Sequence, residues 1–147
     1  MLNQREKLNQ LKRNFESYSY YYFSIKEVES KIVEIETRLE GLSSPRMQAV
    51  FIENKSYKNN IIELSERKER LEKQKNKYLN KIHALKCLVE LIPDGRDRAF
   101  VEDYYFNGVP KKEIAEKYVY HIAGISRKLN IILLEIIKNH LYRDYDV

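Results

Sequence analysis

Few side chains in this sequence could do chemistry. His83, His121, His140 and the single cysteine, Cys87, are the residues that metal binding or nucleophilic attack would call on. The histidines show no metal-ligand spacing and no neighbouring cysteine or carboxylate pattern. Cys87 has no base at hand. These features predict neither a metal centre nor a reactive thiol. Phosphate-cradling loops and nucleophile elbows are missing, and the carboxylates are spread along helix surfaces, so no catalytic residue and no cofactor are expected. What remains is ionic chemistry towards a polyanion. Lys111 and Lys112 stand in the first turn of a short helix, an electrostatically unfavourable place for cations, so contact with phosphate would give them a purpose beyond solubility. Arg127 and Lys128 either touch DNA or form a solvated helix face.

Three short helices would have to position these groups. Asp94 and Asp97 read as the acidic start of a helix from Arg96 to about Phe106, packing through Phe100, Val101, Tyr104 and Tyr105. Asn107-Gly108 stops it, and Pro110 is suited to the first position of the next helix, KKEIAEKY. After a break near Val119-Tyr120, a last helix carries Ile122, Ile125, Leu129, Ile132, Leu133 and Ile136 at helical spacing. The tail RDYDV reads as polar and frayed. A small residue, Ala115, lets neighbouring helices cross closely, with Ile114, Tyr118 and Ile125 filling the space between them. This is the plan of a helix-turn-helix, whose second helix can enter a major groove.

The stretch FVEDYYFNGVPKKEIAEKY, with its aromatic helix, glycine turn and Glu113-Ile114-Ala115, resembles the start of region 4 of sigma-70 factors. The whole layout resembles the phage late transcription regulators of the ArpU/RinA type. In those, a charged helical hairpin interrupted by a Ser-Ser-Pro-like connector precedes a sigma-like helix-turn-helix, and Ser43-Ser44-Pro45 stands where that interruption belongs. The resemblance implies a supporting helix from Pro110 to Tyr118 and a recognition helix from His121 to about Ile136. It makes Lys111, Lys112, His121, Ser126, Arg127, Lys128 and Asn130 the DNA-binding residues. Its front, His121-Ile122-Ala123-Gly124, departs from the Ser, Arg and Gln side chains usual there, and shifts the expected contacts towards phosphates, DNA shape or a second protein.

Residues 1–92 read as an arm. Leu8, Leu11, Phe15, Tyr18, Tyr22, Ile25, Val28, Ile32, Ile35, Leu39 and Leu42 step by three and four along one helix over 1–42, with a stammer between Tyr22 and Val28. A connector of about 43–60, with an apolar patch from Val50 to Ile52, leads to a second helix from about 60 to Ile92. Its heptad seam runs Ile61, Lys68, Lys75, Ile82, Val89 and Leu64, Leu71, Tyr78, Leu85, Ile92. Lysines on a seam cost stability but restrict register and partner. The basic run Arg67, Lys68, Arg70, Lys73, Lys75, Lys77 and Lys81 is expected to be a solvated flank pairing with Glu63, Glu66, Glu69 and Glu72. The cluster Tyr18, Tyr20, Tyr21, Tyr22 and Phe23 is expected to pack within the bundle or between subunits.

The 147 residues are 33% charged, with four glycines, three prolines and no tryptophan, a composition of polar-faced helices. No apolar run reaches the roughly 18 residues of a bilayer span, the N-terminus lacks a signal-peptide core, and one cysteine suits a reducing cytoplasm. The net charge of +5 lies in the arm, since residues 93–147 carry nine basic and nine acidic side chains. The sequence therefore predicts an all-α protein with two domains. A long antiparallel helical hairpin or coiled coil (1–92) precedes a small helix-turn-helix domain (93–147). The expected function is a sequence-specific DNA-binding transcription regulator, a phage late-gene activator, not an enzyme. Its expected partners are double-stranded DNA and, through the arm, further copies of itself or RNA polymerase, with no membrane. The alternative is a helical scaffold or small-terminase-like packaging protein with a degenerate DNA-binding motif.

Overall fold

Asn3 opens the first helix with a reciprocal cap. Its side-chain oxygen accepts the Glu6 N–H at 2.9 Å, while the Glu6 carboxylate accepts the Asn3 N–H at 3.0 Å, satisfying two donors that a helix start leaves without partners. A computed structural model describes residues 3–42 and 55–139. Every regular element among them is helical: α1 (Gln4–Glu16), α2 (Tyr18–Leu42), α3 (Lys55–Glu90), α4 (Gly95–Val101), a π-helical turn (Glu102–Phe106), α5 (Lys111–Tyr118) and α6 (Ile122–Lys138). The Ser43-Ser44-Pro45 stop, the patch at 50–52, His140 and the 143–147 tail lie outside the described residues. None of the described helices is long and apolar enough to cross a membrane.

The single helix expected over 1–42 is divided at Ser17. The Ser17 hydroxyl donates to the Arg13 carbonyl at 2.8 Å alongside its own N–H at 3.0 Å, a back-bond that bends helices. The buried row reads Leu11, Phe15, Tyr18, Tyr21, Ile25, Val28. Tyr21 is 7% exposed and Tyr22 43% exposed, so the two consecutive three-residue steps fall across Ser17 and not between Tyr22 and Val28. The second long helix begins at Lys55, earlier than expected.

The chain forms two compact units, Met1–Tyr21 with Asn80–Val147, and Tyr22–Leu79. The first differs from the expected 93–147 domain because α1 packs along α6. Leu11 and Phe15 are fully buried, and the Phe15 ring lies 5.2 Å from Tyr105 and 6.0 Å from Phe106. Pro93 ends a helix without dividing the core, since Val89 and Ile92 before it are as buried as Phe100 and Val101 after it.

The second unit is an antiparallel arm. Glu29 pairs with Lys75 at 3.2 Å and Glu36 with Lys68 at 3.3 Å. One partner advances by seven residues as the other retreats by seven, which fixes an antiparallel heptad register. Ile25, Val28, Ile32 and Ile35 are buried, while Ile61, Leu64, Leu71 and Tyr78 are half-buried.

Candidate nucleic-acid interface

The helix expected over 96–106 changes type midway. Asp94 caps α4 by accepting the Arg96 N–H at 2.9 Å, as its sequence suggests. From Glu102 the winding loosens: the Asn107 N–H donates to Glu102 O and the Val109 N–H to Asp103 O, both at 2.9 Å. Such single-turn π segments concentrate at functional sites. Gly108 takes φ 63, the left-handed conformation that glycine adopts without cost. The wider turn leaves Tyr104 half-buried and buries Asp103.

Asp103 joins α5 to the π turn. Its Oδ2 accepts the Tyr118 hydroxyl at 2.6 Å and Lys117 Nζ at 2.7 Å, and its Oδ1 accepts Asn107 Nδ2 at 3.0 Å. Burial pushes this carboxyl up, but the three donors and the lysine charge outweigh burial and hold it below the ordinary carboxylate value. The Tyr118 hydroxyl is pushed up to about 12, by burial first and then by Asp103.

α5 and α6 pack as the sequence suggests, with Ile114, Ala115, Tyr118 and Ile125 buried between them. Three residues connect them. Val119 takes φ 58 and ψ 51, a conformation rare for a β-branched residue. It lets the Tyr120 N–H return to Ala115 O at 3.0 Å. His121 then stands at the N-terminal cap of α6, with its side chain exposed and outside the cap. Arg96 secures this turn from α4: its guanidinium donates to the Tyr118 carbonyl and lies 5.9 Å from the Tyr118 and Tyr120 ring centroids. Phe100 meets both rings edge-on, at 5.2 and 5.6 Å. Sequence reasoning missed Arg96 and Asp103. The one available signal was a carboxylate on the aromatic packing face of FVEDYYF.

The structure separates the expected DNA-binding residues into two groups. Lys111 Nζ donates to Ser126 Oγ at 3.2 Å, bringing the start of α5 to the exposed side of α6. Lys112, His121 and Arg127 are exposed as well. Lys128 is turned away from that open side, and Asn130 is half-buried. Lys128 is 29% exposed and pairs with Asp97 at 3.4 Å, and the Asn130 Oδ1 is buried without a hydrogen-bond partner. For Lys128 the cause is angular. At 100° per residue Arg127 stands opposite the Ile125–Leu129–Ile132 stripe and Lys128 falls on its margin, whereas Asn130 lies between Ser126 and Arg127 and is half-buried. Gly124 needs no space for itself, since a Cβ there would meet nothing within 4 Å.

The expectation that Cys87 has no base and His83 no cysteine partner is corrected. They lie one turn apart on α3, with Sγ and Nε2 separated by 3.5 Å. Among the described residues no three His, Cys, Asp or Glu side chains come together as a metal site would need. No protein-family model, no curated protein and no solved structure matches the chain.

Proposed function

We propose that this chain is a DNA-binding transcription regulator of the phage late-gene kind that its sequence resembles. α6 would lie towards the major groove, and Lys111 and Lys112 would sit on phosphates. The carrying observation is the Lys111–Ser126 contact across a three-residue turn of a braced helix pair, on which Lys112 and Arg127 are exposed as well. Arg127 is the remaining candidate for reading a base, since Lys128 is paired with Asp97 and the Asn130 Oδ1 is buried. The arm would serve oligomerisation or contact with RNA polymerase.

The test is binding to promoter fragments of the genome that carries the gene, against scrambled competitor, at two salt concentrations. The proposal expects one fragment to survive both challenges and Arg127→Ala to relax its preference. Equal loss of all fragments with salt would replace sequence-specific regulation with non-specific packaging. A second reading, protein docking in a scaffold, draws on Ile122 and Ile131, which are 54% and 46% exposed on α6. It expects no DNA binding at all.

A further inference from the structure

The two flanks of the arm differ in charge. On one, Glu29 and Glu36 of α2 hold Lys75 and Lys68 of α3. The other is marked by Arg38 of α2 and Arg67 of α3, which line a single groove together with Leu42 and Leu64. Helical spacing carries Arg70 and Lys77 onto this same side, within about a quarter-turn of Arg67.

The basic run expected to pair along its own helix is therefore divided. Lys73 goes to Glu69 at 3.6 Å, while Lys68 reaches Glu36 and, at 3.9 Å, Glu72. Lys75 goes to Glu29, and Lys81 lies 5.0 Å from the Tyr21 ring centroid. Arg67, Arg70 and Lys77 are exposed and form no ion pair among the described residues. Facing them from α2, Lys31 and Arg38 are neutralised by Glu27 and Glu34 at 3.3 and 3.1 Å. Glu63 and Glu66 are the carboxylates that α3 itself adds to this side, leaving the three cations in excess.

We infer that this flank is a second, sequence-independent contact with the phosphate backbone of duplex DNA. The inference rests on the DNA-binding reading of the helix pair and adds a separate surface to it. From Arg67 to Lys77 the stripe is about 15 Å long at 1.5 Å per residue, and duplex DNA presents a negative charge every ~1.7 Å of axis. A second copy of the arm is the poorer occupant, because a two-fold pairing of this flank would set like charges against each other.

The test uses the full chain and a random-sequence duplex of about three helical turns, with affinity measured by fluorescence anisotropy between roughly 50 and 200 mM salt. Three proteins are compared with the unmodified chain. The flank variant is R67Q/R70Q/K77Q. A charge-matched control, K26Q/K58Q/K86Q, removes three exposed cations away from this flank, and K111Q/R127Q alters the helix pair. Circular dichroism confirms that each is helical. The flank variant is expected to lower the slope of log affinity against log salt by about 2 to 3, and the control to keep the original slope. Equal slopes for the flank variant and the unmodified chain overturn the inference, leaving the helix-pair reading in place if K111Q/R127Q weakens binding. An equal fall in both triple variants also overturns it, because the effect is then net charge. Loss of binding in the flank variant but not in K111Q/R127Q upholds the flank and removes the helix-pair reading. No binding by the unmodified chain overturns both.

Discussion

The Tyr118 hydroxyl donates to Asp103 Oδ2 at 2.6 Å, joining two residues fifteen apart in sequence at the point where α5 meets the π turn. This contact makes the helix pair depend on the element before it. A buried carboxylate that lost its donors would carry an uncompensated charge, and a buried phenol that lost its acceptor would carry an unpaired donor.

The sign of the resulting pH dependence follows from the two shifts. Asp103 is held below its ordinary value, so its stabilisation is present above roughly pH 4 and is lost as pH falls through its folded value. Tyr118 is raised to about 12, so its contribution is present below roughly pH 10 and declines as pH rises from there towards 12. Asp103→Asn should flatten the acid limb of a urea-stability profile and cost about 1–3 kcal/mol at neutral pH. Tyr118→Phe should remove one late-titrating tyrosine from the ultraviolet titration. An acid limb that persists unchanged in Asp103→Asn would show that another group governs it.

Val119 carries a β-branched side chain at φ 58 and is 85% exposed, so nothing it packs against compensates for the conformation. Val119→Gly should stabilise the protein by about 0.5–1 kcal/mol, part of the gain being offset by the freer unfolded chain. A thermal midpoint lower than that of the unmodified protein would contradict this account of the turn.

Gly124 has open space where a Cβ would lie. Gly124→Ala should therefore raise stability by up to about 1 kcal/mol through helix propensity alone. If the proposed docking is right, the same methyl stands between α6 and the groove, and affinity for the promoter fragment should drop by about tenfold, ~1.4 kcal/mol. A variant with unchanged affinity would place the front of α6 away from DNA.

α1 belongs to the same unit as the helix pair. Phe15→Ala should cost about 3–5 kcal/mol, the range for emptying a fully buried aromatic site. A chain lacking residues 1–21 should lose the cooperative transition of α4 to α6, as followed by urea denaturation. A sharp transition in the truncated chain would mean that residues 93–147 fold without it.

What could be read from the sequence alone was local. Asp94 caps its helix, Gly108 turns with positive φ, and Ile114, Ala115, Tyr118 and Ile125 close the helix pair, because caps, turns and apolar spacing act over three or four residues. Tertiary structure decided whatever depends on a partner far along the chain. Lys128 looks identical to Arg127 in sequence until Asp97, thirty-one residues earlier, is brought to 3.4 Å from it. Tyr21 displaces Tyr22 from the buried row because the bend at Ser17 rotates the helix beyond it. α1 lies on α6 because Leu11 and Phe15 need a core to enter, and their spacing announces that need without naming the helix that meets it.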